Sequence, residues 1–325
     1  MSCPLEYVRH PVLRHSLRVV AAAVTLTATS AIAHAQPTTT AADGGPSWSA
    51  VQQALGGRGA MQAGDVLKFS FPRSDLQVIA AGVVLKPALA LGSWVAFKRM
   101  GNGARADVMV MGDLVLLEEE VAPVMAALQS GGVEQSALHN HVLRESPRVM
   151  YMHIMAHGDA AKIASTIRTA IAASKTPVAA GPAPAPASAA IDLDTAGIAR
   201  VLGHAGRVNG GVYQVSIARG ERIMDHGMAV PPSMGLATAI NFQPTGNGKA
   251  AITGDFVMTA GEVNRVIRAL RANGIEVAAL HGHMLTETPR LFFMHFWAND
   301  DAMKLARGLR AALEQTNSVK SVGRR

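Results

Sequence analysis

Short runs of alternating apolar and polar residues give way to a helical rhythm, and the chain does this twice. In the first half, "DVLKFSF" (65–71), "LQVIAAGVVL" (76–85) and "SWVAFKRM" (93–100) predict an antiparallel group of strands. "ADVMVMGDLVL" (106–116) predicts a further strand leading into a helix. The rhythm is clearest in the second half. Thr259 and Glu262 form a capping box, Val263, Ile267 and Leu270 share one helical face, and Asn273-Gly274 end the helix. A strand "IEVAALHGHML" (275–285), a turn "TETPR" (286–290) and a strand "LFFMHFW" (291–297) follow. A last helix starts from Asn299 or Asp300 as cap, with Met303, Leu305, Ala306, Leu309 and Leu313 at its apolar positions. The order β-α-β-β-α is that of a split, ferredoxin-like sheet. The expected fold is α+β: two tandem copies of a mainly antiparallel sheet with helices on one face, each ferredoxin-like half preceded by extra strands.

The duplication is explicit in one stretch. "ALHNHVLRESPRVMYMH" (137–153) returns as "ALHGHMLTETPRLFFMH" (279–295), and residues 138–155 align without gaps on 280–297, identical at nine of eighteen positions. Gly112-Asp113 falls on Gly254-Asp255, Glu120 on Glu262 and Gly132 on Gly274. The repeats are expected over 47–174 and 191–316, with pseudo-symmetric packing between them. A Pro/Ala-rich, semi-rigid linker is expected over 175–190 and a tail over 317–325.

Composition narrows the setting. With 49% apolar and 16% charged residues the chain can bury a core. Residues 1–35 read as a secretory signal: Arg9, Arg14 and Arg18 precede a small-apolar run, and Ala33-His34-Ala35 fits a cleavage site. A flexible segment, 36–46, would follow it. The expected location is the periplasm or the exterior after cleavage near Ala35. The formal charge of +7 falls to about +5 without that leader, and the Lys and Arg residues are scattered, which argues against a nucleic-acid partner. No later stretch is long and apolar enough to predict a membrane span. The one cysteine, Cys3, lies in the leader, so the mature chain would have neither disulfides nor thiolate ligands.

Candidate chemistry rests on histidine. Each repeat carries His-x-His and a third His twelve residues after the second: His139, His141 and His153, then His281, His283 and His295. Strand alternation puts the first two of each trio on one face. The returning strand would bring His153 opposite His139, and His295 opposite His281. Met150, Met152 and Ile154, or Phe292, Met294 and Phe296, would then lie under the helices. Tyr151 and Met155, or Phe293 and Trp297, would line the histidine face. Three neutral imidazoles aimed at one point make a first-row metal site, and a divalent transition metal such as zinc is the cofactor they predict. Such a site could hydrolyse or sequester a small molecule. Asp113, Asp255, Glu145 and Glu287 are candidates for a fourth ligand, an orienting carboxylate or a general base, and Arg148 and Arg290 for anion binding. A metal-free ligand-binding face and a purely structural set of hydrogen-bonded histidines are the competing readings. His157, His204 and His226 have no counterpart in the other repeat and read as local surface residues. The abundant Met residues read as core fillers.

No phosphate-binding loop, nucleophile elbow or H-E-x-x-H helix occurs, so no nucleotide cofactor is expected. "HNHVLRE" and "HGHMLTE" also match the H-x-H-x3-E spacing of a cupin metal motif. A cupin barrel would need a second motif and a different element order, and so ranks behind the duplicated α+β fold. The exported leader, the tandem units and "ALHxHxLxExPRxxxMH" in each resemble the LppY/LpqO family of bacterial exported proteins. That resemblance implies a duplicated domain with no assigned activity and no catalytic residues to transfer. Several members look like lipoproteins; here no cysteine follows the apolar run.

Overall fold

The computed structural model describes residues 48–101, 107–178 and 190–320. The expected leader (1–35), the segment 36–46, most of the Pro/Ala-rich connection and the last five residues lie outside the described residues.

The first repeat runs α1 (Trp48–Leu55), β1 (Ala60–Gln62), β2 (Val66–Pro72), β3 (Ile79–Ala80), β4 (Val83–Val84), α2 (Pro87–Ala90), β5 (Gly92–Arg99), β6 (Asp107–Leu117), α3 (Glu118–Ser130), β7 (Glu134–His139), β8 (Val149–Asp159) and α4 (Ala160–Ala172). The second runs α5 (Thr195–Leu202), β9 (Arg207–Asn209), β10 (Val212–Ile217), β11 (Met224–Asp225), β12 (Met228–Ala229), β13 (Thr238–Gly246), β14 (Lys249–Thr259), α6 (Ala260–Ala272), β15 (Glu276–His281), β16 (Leu291–Asp301) and α7 (Ala302–Leu313). Each repeat builds a six-stranded sheet, ordered β1-β2-β5-β6-β8-β7 and β9-β10-β13-β14-β16-β15. In each, the first and second strands of the ferredoxin-like half flank the third, since β6 and β7 both pair antiparallel with β8, as β14 and β15 do with β16. The α+β expectation holds, with mostly antiparallel sheets and two similar halves.

Helix termini follow local chemistry. Glu262 accepts a hydrogen bond from the Thr259 N–H at 2.7 Å, and Glu120 does the same for Leu117 at 2.8 Å. The same carboxylates grip a buried arginine in each repeat, Arg73 with Glu120 at 2.6 Å and Arg219 with Glu262 at 2.8 Å. Arg73 and Arg219 also donate to the Val115 and Val257 carbonyls, so each ties the strand before its helix to the helix start.

Each sheet has two apolar faces. One packs under helices: Met152 and Ile154 join Ile163, Ile167 and Leu128, while Met294 and Phe296 join Val266, Leu305 and Leu309. The other face is covered by the opposite repeat. Met109 and Met111 share a core with Met234, Val257, Met284 and Phe293, and Tyr151 and Leu89 share one with Val212, Ala251 and Trp297. The layers therefore run helix, sheet, sheet, helix, and the middle interface is formed by both repeats.

Four sequence expectations need correction. "LQVIAAGVVL" does not join the main sheet. It folds back on itself as the β3-β4 ribbon, because Ala81 and Gly82 take positive φ (47° and 80°) and make a tight turn. The last helix is capped by Asp301, whose side chain accepts from the Lys304 N–H at 2.7 Å, because β16 runs on past Asn299 and Asp300. The strands before the turns stop at His139 and His281, so His141 and His283 lie in the following loops. Finally, His139 pairs with Tyr151 and His281 with Phe293, one pleat short of the expected partners, and register shifts at Gln135/Ala137 and Val277/Ala279 interrupt both ladders.

Candidate metal centre

The first repeat sends four groups into the layer between the sheets. Asp113 on β6 stands directly across the ladder from His153 on β8, and His139 and His141 come from the end of β7 and the loop after it. The second repeat does the same with Asp255 opposite His295, and with His281 and His283. The face parity survives the two-residue change in pairing, so His139 and His153 still lie diagonally adjacent, their rings 5.0 Å apart.

The two trios interleave. His139 Nε2 lies 3.2 Å from His295 Nε2, and the rings of His139 and His281 stack at 3.6 Å. His141 packs on His295 at 3.8 Å and His153 on His283 at 3.7 Å. Two groups of three, His139/His281/His295 and His153/His281/His283, keep their ring nitrogens within 4.8 Å of one another, and each mixes repeats. Tyr151 stacks on His141 at 3.4 Å and Phe293 on His283 at 3.4 Å, closing the ends. The repeats are also stitched at this point, with Ser136 donating to the His283 carbonyl and Asn140 to the Ala278 carbonyl.

Tautomers and electrostatics can be read from the partners. The short contact of His295 Nδ1 with the Gly254 carbonyl, 2.7 Å, places the proton on Nδ1 and leaves Nε2 as a lone pair facing the cluster. His281 Nδ1 faces the Gly282 carbonyl at 3.1 Å, with the same consequence. The buried Nε2 atoms of His141, His153, His281 and His283 have no hydrogen-bond partner among the described residues, nor do Asp113 Oδ1 and Asp255 Oδ1. Burial, reinforced by neighbouring imidazoles, pushes the His139, His153, His283 and His295 pKa values well below the ordinary range. Burial likewise lowers His141, to about 3, although Asp255 opposes the shift. Burial raises the Asp113 carboxyl, opposed mainly by His153.

The carboxylates flank the cluster without completing hydrogen bonds. Asp113 Oδ2 lies 3.5 Å from His141 Nε2 and 3.9 Å from His153 Nε2, and Asp255 Oδ2 lies 3.2 Å from His283 Nε2. Sequence reasoning missed one cation here. Lys68, the lone cation in "DVLKFSF", reaches over the Trp94 ring at 3.9 Å, and burial lowers its pKa to about 8 while nearby Asp113 opposes the shift.

The remaining expected site residues stand apart. Glu145 and Glu287 accept from the Val149 and Leu291 N–H groups at 3.3 and 2.9 Å, bracing the turns that follow the histidine loops. Arg290 bonds Glu287 and the Met284 carbonyl, and Arg148 lies exposed 3.8 Å from Glu118.

The profile of the family described as Domain of Unknown Function (DUF1259) matches residues 49–173 and again 196–315. The chain belongs to this family. Both DUF1259 copies contribute equivalent residues to the cluster, so the centre is a product of the duplication. No functionally curated protein matches the sequence. Among solved structures, the trimeric bacterial microcompartment shell protein PduB is similar at 14% identity, over 81% of this chain and 95% of that one, with a TM-score of 0.21. EtuB from Clostridium kluyveri is similar at 9% identity, over 78% and 90%, with a TM-score of 0.19. Likenesses at that level carry no argument about function. Among the described residues, no helix is long and apolar enough to cross a membrane.

Proposed function

We infer that this is a metal-binding protein whose centre is shared by the two repeats. The ion would be a divalent transition metal such as zinc, held by imidazoles from the set His139, His141, His153, His281, His283 and His295. The observation that carries this reading is a buried cluster of six imidazoles in which the Nε2 atoms of His141, His153, His281 and His283 have no hydrogen-bond partner among the described residues. A buried acceptor left unpartnered costs about 1–3 kcal/mol, and a cluster of them is costly unless a cation fills it. Two nitrogens bound to one tetrahedral zinc at about 2.0–2.1 Å stand roughly 3.3 Å apart. The 3.2 Å between His139 Nε2 and His295 Nε2 fits that spacing.

Charge supports the same reading. Asp113 and Asp255 sit beside the rings, where two carboxylates would balance a divalent ion and orient its ligands. The rings fill the space between the sheets, so the centre suits an ion better than a bulky substrate, and sequestration of the metal fits better than hydrolysis. The leader over 1–35 and the LppY/LpqO resemblance support action outside the cytoplasm.

Elemental analysis of the tag-free chain, purified without chelator, tests the reading. At least one zinc, copper, nickel or iron per chain is expected, with one equivalent fewer in the His141→Ala/His283→Ala variant. A metal-free wild-type chain whose melting temperature ignores added Zn2+ would leave the cluster as structural packing.

A further inference from the structure

Four residues beyond His153 along β8 lies His157, on the same inner face and about 13 Å further along the strand at ~3.3 Å per residue. Here it meets the second repeat's β11-β12 ribbon. Asp225 ends β11 and His226 opens its turn. His157 Nε2 lies 3.8 Å from Asp225 Oδ2, and His226 Nδ1 lies 3.2 Å from the same oxygen. The two rings are 4.6 Å apart, and one ligand atom from each of the three residues falls within 4.8 Å of the others. We propose that His157, Asp225 and His226 form a second site for a divalent transition metal, open to solvent and separate from the central cluster.

The geometry is that of a built site. Asp225 is buried, and Thr286 donates to its Oδ1 at 2.7 Å, which turns Oδ2 toward both imidazoles. His157 Nε2 is buried without a partner, and 3.8 Å is too long for a hydrogen bond to Asp225. His226 is half-exposed, so two imidazoles and a carboxylate would leave further positions to water or a small ligand. Burial, then His226, lowers the His157 pKa, while Asp225 and Glu134 oppose that shift.

The duplication supplies an internal control. The β3-β4 ribbon is the first repeat's copy of β11-β12: Ala80 pairs with Val83 as Asp225 pairs with Met228. Ala81 and His226 share a positive φ, 47° and 46°. The β16 residue equivalent to His157 is Asn299. One copy of the fold thus holds Ala80, Ala81 and Asn299 where the other holds Asp225, His226 and His157, so the fold itself does not require this trio.

The test exchanges them. Chelator-treated wild-type chain and a His157→Asn/Asp225→Ala/His226→Ala variant are titrated with Zn2+ by calorimetry in a non-coordinating buffer. The wild type should take up one equivalent more than the variant, with a Kd below ~10 µM. A zinc-edge anomalous peak in crystals should lie against His157 Nε2. The single His226→Ala variant, changed at an exposed side chain, should show the same loss and covers the case in which the triple exchange disturbs folding. Equal stoichiometry in all chains, or an extra equivalent only above ~1 mM, would overturn the proposal. The comparison stands whether or not the central cluster takes metal.

Discussion

A histidine kept neutral by burial makes folding sensitive to acid. His139, His141, His153, His283 and His295 all have native pKa values below that of a free imidazole, about 6.5. Above pH 6.5 both native and unfolded chains hold these rings neutral, and no penalty arises. Below it the unfolded chain takes up protons that the native chain refuses, and stability falls toward the lowered native pKa values. Each ring contributes up to ~1.4 kcal/mol per pH unit. Asp113 acts in the opposite sense, since its raised carboxyl pKa lets the native state bind a proton first. Urea melts of chelator-treated protein at pH 7.5, 6.5 and 5.5 should therefore show a steep, multi-proton loss of stability. A flat profile would mean that the rings are not held neutral. The residue identities of this cluster were legible in the sequence, because repetition marked them. Lys68, His157, Asp225 and His226 were not, since each lacks a counterpart in the other repeat and only packing brings them together.

At the scale of elements, the histidine strands depend on close backbone approach at Gly254. A methyl group there would run into the Ala239 carbonyl of the neighbouring strand, and Gly254 also supplies the carbonyl that faces His295. Gly254→Ala should cost about 2–3 kcal/mol by forcing β13 from β14, and it should weaken metal retention. Gly261→Ala, on an exposed turn of α6 with open space for the methyl, should stay within about 0.5 kcal/mol of wild type. Chemical denaturation of both variants checks this, and equal losses would contradict it. The strand and helix sequence of the ferredoxin-like halves was readable because periodicity and the Thr259/Glu262 box are local signals. The β3-β4 ribbon was not, because an apolar run hides its turn until Ala81-Gly82 is seen as a break. The short helices α1 and α5 precede the first clear strand pattern and were missed for want of length.

At the scale of the molecule, the decisive fact is what covers the second face of each sheet. Alternation says which side chains share a face, but it does not say what packs on it. The sequence pointed to two histidine trios and left open whether they form separate sites or one shared site. The fold lays one sheet on the other and merges them into a single six-histidine layer, with both trios of ring nitrogens drawn from both repeats. Duplication thus brings together more imidazoles than one repeat carries and buries them between the two sheets.

Shared ownership makes a sharp demand on stoichiometry. In a chain already carrying His157→Asn, Asp225→Ala and His226→Ala, the metal content should be measured before and after adding His281→Ala. Because His281 belongs to both trios, this change in one repeat should remove all of the remaining metal. Retention of half of it would mean that each repeat binds its own ion, and the shared centre would be wrong.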